Sequence, residues 1–261
     1  MVWPLSLLTY KAAYATWIGL TGAGLVEATG LRVGRLAPLI ILSPLFLIFL
    51  GMGQSGFLVA ALAVAALAMP GRPITAGILL GLAACIKPQL LLFVPIGLAV
   101  AGRWRTLFST AWAGLFICAL ATIVFGPRIW LDWITALPRF IEINRHLGLI
   151  GEAPRSLFLR IPLGAVAVFL VWRAFKASNI DVQIMTALGA PFLCSEHVLH
   201  YDLVLLLPPA LSFVMKGPWR SIPFIVFLTG LVDGWFVVLF LLVYGALLYR
   251  DNHSAGMRRS L

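Results

Sequence analysis

ITAGILLGLAACIKPQLLLFVPIGLAVA, residues 74–101, carries a single charge, Lys87, and that charge stands beside Pro88 at the middle of the stretch. A run this long is either one kinked membrane span or two short helices meeting at Lys87–Pro88, and the choice sets the direction of everything downstream. Charge decides between them. With a hairpin, Arg32, Arg35, Arg72, Arg103, Arg105, Arg173, Lys176, Lys216, Arg220, Arg250, Arg258 and Arg259 fall on one face. Arg128, Arg139, Arg145, Arg155 and Arg160 fall on the other, a split of twelve to five with Lys11 and Lys87 left in the membrane. With a single span the split becomes eight to nine. Only the hairpin gives a positive-inside bias, so the sequence reads as a hairpin with residue 1 outside the cytoplasm and the C-terminus cytoplasmic.

Working outward, the chain is 62% hydrophobic and 11% charged, with a mean hydropathy of +1.03. That leaves too little polar surface to cover a soluble globule of 261 residues. Further apolar runs fall at about 5–26, 38–52, 55–69, 107–125, 160–172, 182–195, 203–215, 221–233 and 235–249. The reading is all-α: a polytopic transmembrane bundle of about ten or eleven helices, several short or broken, forming one integral membrane domain over 1–261. Short helices interrupted by Gly or Pro are tolerated where neighbours or a cavity satisfy the backbone, which implies an internal polar cavity. No basic segment precedes the first apolar run, so it does not read as a cleavable signal.

The net charge of +10 would suggest nucleic acid in a soluble protein. Here the basic residues punctuate apolar runs and form no stripe, which excludes nucleic acid and leaves membrane lipid as the anionic partner. Cys85, Cys118 and Cys194 are far apart in apolar segments and read as buried free thiols.

The hairpin topology puts five polar features on one outer face: the Gln54 turn, the Lys87 apex, the loop 126–159, the segment Ser195–Asp202 and Asp233. Polar groups inside apolar runs are costly, so each is weighed as a site. Gln54 follows Gly51–Met52–Gly53 and either caps a helical hairpin or contacts substrate. Lys87 either snorkels to the interface or faces a cavity in which a phosphate is its counter-ion. In the 126–159 loop, Trp130, Trp133, Arg139 and Arg145 suit interfacial anchoring on an anionic leaflet, or gripping of sugar and phosphate, with Asp132 or Glu142 as counter-charge or base. Glu196, His197, His200, Tyr201 and Asp202 form the densest chemical cluster; a polar rim, a metal site and a substrate contact all remain open, although no metal-ligand spacing is matched. Asp233 before Gly234 reads as a turn.

Leu8–Thr9–Tyr10 with Ala15 and Trp17, Gly53–Gln54, Ala76–Gly77 with Leu80–Gly81–Leu82, Lys87–Pro88, Phe125–Gly126–Pro127 with Trp130, and His197 with Tyr201–Asp202 occur in an order that resembles glycosyltransferase family 87 over roughly residues 3–210. The resemblance implies a GT-C membrane fold in a bacterial cell membrane with its active face outside. It also implies transfer of a hexose, mannose above all, from a polyprenyl-phosphate sugar to a glycan or glycolipid acceptor, with no nucleotide or other cofactor and with metal dependence left open. Carried onto this chain, it puts Lys87 and His197 near the lipid phosphate, Gln54, His200, Tyr201 and Asp202 on donor or acceptor, and Arg139 and Arg145 on phosphate. Members of the family begin with a helix and an outer loop bearing an aspartate base and a Tyr-Pro-Pro-like stretch, and none of this precedes Met1–Val2–Trp3–Pro4. Glu196 also stands where proline is expected before His197. The expectation is thus an N-terminally truncated module, inactive as a fragment or using His197 as base. The rival class is a lipid-linked sugar flippase or other carrier, for which internal repeats are the signature and none stands out.

Overall fold

The computed structural model describes residues 3–144, 157–176, 179–194 and 200–216, all of the regular structure among them helical. The all-α expectation holds for these residues. Eleven α-helices run in order: α1 Tyr10–Val33, α2 Pro44–Met52, α3 Gly56–Ala68, α4 Pro73–Ile86, α5 Val94–Val100, α6 Trp104–Phe125, α7 Arg128–Asn144, α8 Leu157–Lys176, α9 Ile180–Gly189, α10 Pro191–Cys194 and α11 Leu207–Lys216. Short 3-10 helices cover Trp3–Leu7, Gly34–Leu42, Pro88–Leu91 and His200–Leu206.

The centre is α3, GFLVAALAVAALA, whose Phe57, Val59, Ala60, Ala63 and Val64 are completely buried. A helix apolar on all sides has no face to give to water, so its place is inside a bundle. Its alanines let neighbours approach closely, and the Phe46 and Phe49 rings of α2 stack on Phe57 at centroid distances of 4.4 and 4.3 Å. α1 runs parallel to α3: a Cβ on Gly22 would meet Phe57, and one on Gly24 would meet Ala61. Both helices therefore lead from what we call the Tyr10 end to the Val33 end.

α4 returns from the Val33 end, and its partner is α6. A Cβ on Gly77 would lie 2.3 Å from the Ser109 Cβ and 2.7 Å from the Thr106 carbonyl; one on Gly81 would lie 2.6 Å from the Ala113 Cβ and 2.9 Å from the Thr110 carbonyl. The two glycines, four apart, let the backbones touch in the small-residue packing that membrane helices favour. The register rises on both helices together, so α4 and α6 are parallel and the chain must reverse between Ile86 and Trp104. This is the hairpin that charge counting selects. Lys87 ends α4, Pro88 begins a new turn, and α5 carries the chain back.

Two expectations change. The apolar run 38–52 is not one helix: Gly34–Leu42 is 3-10, α2 starts at Pro44, and the α1 segment through Leu42 meets α2 at a bend of 68°. Pro38 and Pro44 deny the backbone donors that a continuous helix needs. The thiols are free but not buried: Cys85 is exposed, and Cys118 and Cys194 are half-buried.

By length and composition α6 is able to cross a membrane, and the bent α1–α2 pair passes the same test together. At 22 residues α6 is about 33 Å long, close to the ~30 Å hydrocarbon core. Trp112, Phe116, Ile123 and Phe125 of α6 are all more than two-thirds exposed, as lipid-facing side chains are. Helices α3, α4 and α9–α10 are apolar but shorter than a span.

Candidate active site at the Tyr10 end

Three structural events bring polar groups to the Tyr10 end. The first is the turn between α2 and α3. Gly53 sits at φ 64°, a left-handed conformation that closes α2, and α3 begins at Gly56, so Gln54 lies in the turn itself, not at the start of a helix. Gly53 has no room for a side chain, since a Cβ would lie 2.6 Å from the Tyr14 ring. Tyr14 donates its hydroxyl to the Leu50 carbonyl and so ties α1 to the last turn of α2. The result is an open hollow of about 390 Å³ lined by Tyr10, Ala13, Tyr14, Trp17, Gly53, Gln54 and Ser55.

The second event is the break at Lys87. Its backbone N–H still bonds the Ala83 carbonyl at 3.0 Å, but its φ of −142° and ψ of 78° leave the helix. The side chain turns inward to about 12% exposure, and Nζ donates to Asp202 Oδ1 at 2.6 Å. The third is the 3-10 helix His200–Leu206, which delivers Asp202 at 0% exposure in an otherwise apolar stretch, DLVLL. Asp202 is thus a charge held in the bundle by a partner 115 residues away in the chain.

The turn and the ion pair adjoin. A Cβ on Gly56, two residues after Gln54, would lie 3.4 Å from Val204 Cγ1, two residues after Asp202. Gln54, Lys87 and Asp202 therefore lie toward one end, where Tyr10 and Trp17 line the hollow with Gln54. The Asp202 carboxylate is a counter-ion of Lys87 that the sequence did not indicate. Arg139 is on α7, exposed, with no contact to the hollow or the pair described. Arg145 and His197 lie outside the described residues, as does Asp233. His200 and Tyr201 begin the helix that carries Asp202, and their side chains also lie outside what is described.

The region read as an outer loop over 126–159 is helical from Arg128 to Asn144. Gly126 at φ 81° and Pro127 make the corner, and Trp130 Nε1 donates to Thr122 Oγ1 at 2.8 Å, fastening α7 to the last turn of α6.

The opposite, Val33 end holds a second polar cluster that sequence reasoning passed over. Arg32 Nε lies 2.6 Å from Oδ1 of Asp181, which is 1% exposed, and Arg103 donates to Gln183 Oε1 at 2.7 Å. The Arg103 guanidinium also sits 5.8 Å from the Phe175 ring centroid, and burial lowers its pKa from the ordinary arginine value. Arg32 and Arg103 served only as topology signals in the sequence. The available clue was Asn179–Ile180–Asp181, a cap followed by a first-turn acid, with the Asn179 side chain accepting from the Asp181 N–H at 2.9 Å. These bonds join α1 and the start of α6 to α9, and they read as structural ties.

Compared with known proteins, residues 1–195 match the family model for Glycosyltransferase family 87. The match takes in the Tyr10–Trp17 face, the Gln54 turn and Lys87, and ends before Asp202. No curated protein and no solved structure matches the chain. The matched span covers most of the sequence, and family members are membrane glycosyltransferases. The chain belongs to glycosyltransferase family 87.

Proposed function

We propose that the chain is a GT-C membrane module that moves a hexose, mannose in the first instance, from a polyprenyl-phosphate sugar to a hydroxyl of a glycan or glycolipid acceptor. The reaction takes place at the outer face of a bacterial cell membrane, and that face is the Tyr10 end. The single observation that carries the reading is Lys87: an ammonium held at a helix break by Asp202, toward the same end of the bundle as Gln54 and a hollow lined by Tyr10, Tyr14 and Trp17. The positive-inside sorting supports the orientation, since Arg32 and Arg103 gather at the far end. The whole of 1–261 acts as one membrane domain, its short helices serving as broken spans.

In this reading the lipid phosphate approaches Lys87, which stabilises the charge that grows on the departing phosphate as the glycosidic bond breaks. Asp202 aims the ammonium and keeps it inside the bundle while no donor is bound. Gln54 and the aromatic faces orient the sugar ring, as carboxamides and ring planes do for hydroxyls and C–H faces. A base takes the acceptor proton, and attack from the opposite side inverts the anomeric centre. His197 is the candidate base, with His200 and Tyr201 placed by sequence beside it; Arg139 and Arg145 are assigned to phosphate on the same terms. The donor carries its own activated phosphate, so no nucleotide enters the scheme.

The test is reconstitution in proteoliposomes with radiolabelled polyprenyl-phosphate mannose and a cell-derived acceptor extract, reading donor binding, transfer and leaflet exchange together. Donor binding that weakens at least tenfold in K87Q, with label passing to acceptor, supports the proposal. Donor binding indifferent to K87Q overturns the site. Labelled lipid that changes leaflet without any transfer overturns the reaction and makes the chain a flippase.

A further inference from the structure

Helix α7 has no place in that scheme beyond Arg139, yet its sequence, RIWLDWITALPRFIEIN, is sharply two-sided. Arg128, Asp132, Thr135, Arg139 and Glu142 recur at spacings of four and three and form one row along the helix. Ile129, Trp130, Trp133, Ile134, Leu137 and Phe140 occupy the other side. In a packed protein such an apolar side is covered. Here Trp133 is 56% exposed, Ile134 55% and Phe140 60%, and Leu131 between the two rows is 65% exposed.

The position of the helix says what covers it. α7 starts three residues after the end of α6, the helix of full spanning length, and Trp130 is bonded back to Thr122 in the last turn of α6. The exposed apolar surface of Ile123, Val124 and Phe125 therefore continues into the apolar side of α7. A helix turning out of the hydrocarbon core at Gly126–Pro127 emerges at the headgroup boundary, where tryptophan and phenylalanine settle on one side and charges on the other.

We propose that α7 is an in-plane membrane helix, lying in the headgroup–acyl boundary of the leaflet at the Tyr10 end, with the bilayer as its partner. Its row of charges holds two cations, Arg128 and Arg139, and two anions, Asp132 and Glu142, with Arg128 Nε 3.8 Å from Asp132 Oδ1. A row balanced in this way gives no net attraction to anionic lipid, so the helix is held by apolar burial and needs no acidic headgroup. This departs from the sequence reading, in which the basic residues of the segment answer an anionic leaflet. The inference rests on the membrane location and is independent of donor, sugar and catalysis.

The test uses the full chain in phosphatidylcholine proteoliposomes. With Cys85, Cys118 and Cys194 replaced by alanine, an environment-sensitive fluorophore is attached to I134C or F140C on one side and to D132C or T135C on the other. Probes at 134 and 140 emit blue-shifted light and are quenched several-fold more by lipids spin-labelled near the headgroup than by aqueous iodide. Probes at 132 and 135 show the reverse. In the chain with its cysteines intact, W133F removes part of the tryptophan emission that shallow-brominated lipid quenches. Equal iodide access at all four sites, or shielding of all four from both quenchers, overturns the proposal, as does a requirement for anionic lipid. None of these outcomes touches transfer activity, so the two readings fail separately.

Discussion

The ammonium of Lys87 and the carboxylate of Asp202 are 2.6 Å apart, and they join the break after α4 to a 3-10 helix that is apolar from Leu203 to Leu206. Removing one partner takes the counter-charge from a desolvated group, and breaking a buried pair in this way costs about 3–5 kcal/mol. K87M and D202N are therefore expected to lower the unfolding temperature in detergent clearly. The double variant K87M/D202L replaces the pair by apolar bulk and is expected to regain most of the stability, since buried pairs exchanged for hydrophobes are often neutral. Transfer stays lost in all three. Recovery of transfer in the double variant would reduce the pair to a structural tie.

Gly77 and Gly81 have backbone atoms of α6 within 3 Å of where a side chain would begin. Backbone does not step aside as a flexible side chain does, so G77A and G81A must part the two helices, at about 1–3 kcal/mol each. Gly114, on α6 itself, has open space at its Cβ position. G114A is the internal control and is expected to be neutral or slightly stabilising, by up to about 1 kcal/mol from helix propensity. Thermal unfolding of the three variants in one detergent checks the contrast.

How far the sequence discloses this arrangement depends on the range of the interaction. The reversal at Lys87–Pro88 is legible because proline and charge act locally and the basic residues must still sort across a membrane. α3 is legible as buried because it carries no polar side chain to expose. The Lys87–Asp202 and Arg32–Asp181 pairs are not, because each joins segments more than a hundred residues apart and no local pattern records the partner. α7 is legible in principle, since its polar row keeps helical spacing, but it falls between the apolar runs that end at 125 and resume at 160 and so reads as a loop. Gly77 and Gly81 stood out as motif residues, while their reason, the small residues Thr106, Ser109, Thr110 and Ala113 facing them, appears only once α4 and α6 are seen to run parallel.

The hollow at the Tyr10 end separates two kinds of variant. Gly53 at φ 64° has the Tyr14 ring 2.6 Å from its Cβ position, so G53A pairs a left-handed backbone cost of about 1–2 kcal/mol with a steric one and lowers the unfolding temperature. Gln54 is exposed and Trp17 is partly so. Q54A and W17A are expected to leave the unfolding temperature nearly unchanged while raising KM for donor or acceptor about tenfold, near the 1.4 kcal/mol of a lost polar or stacking contact. Steady-state transfer against donor and acceptor concentration distinguishes the two substrates. Unchanged KM for both would remove the hollow from the site.

Arg32 and Asp181 offer the opposite signature. Asp181 is 1% exposed, accepts from Arg32 and sits in the capped first turn of α9, far from the hollow along α1. D181N and R32M each abolish the ion pair, and breaking a buried pair from one side costs about 3–5 kcal/mol, less for D181N, whose amide oxygen still accepts from Arg32. Since the pair touches neither Lys87 nor the Gln54 turn, the fraction of chain that remains folded keeps its KM for both substrates. The expected pattern is therefore a lowered unfolding temperature and a reduced yield of active protein, with KM unchanged in transfer assays below that temperature. A shift in KM for the donor would mean that the Val33 end communicates with the site through α1, whose Tyr14 is bonded to the turn that holds Gln54.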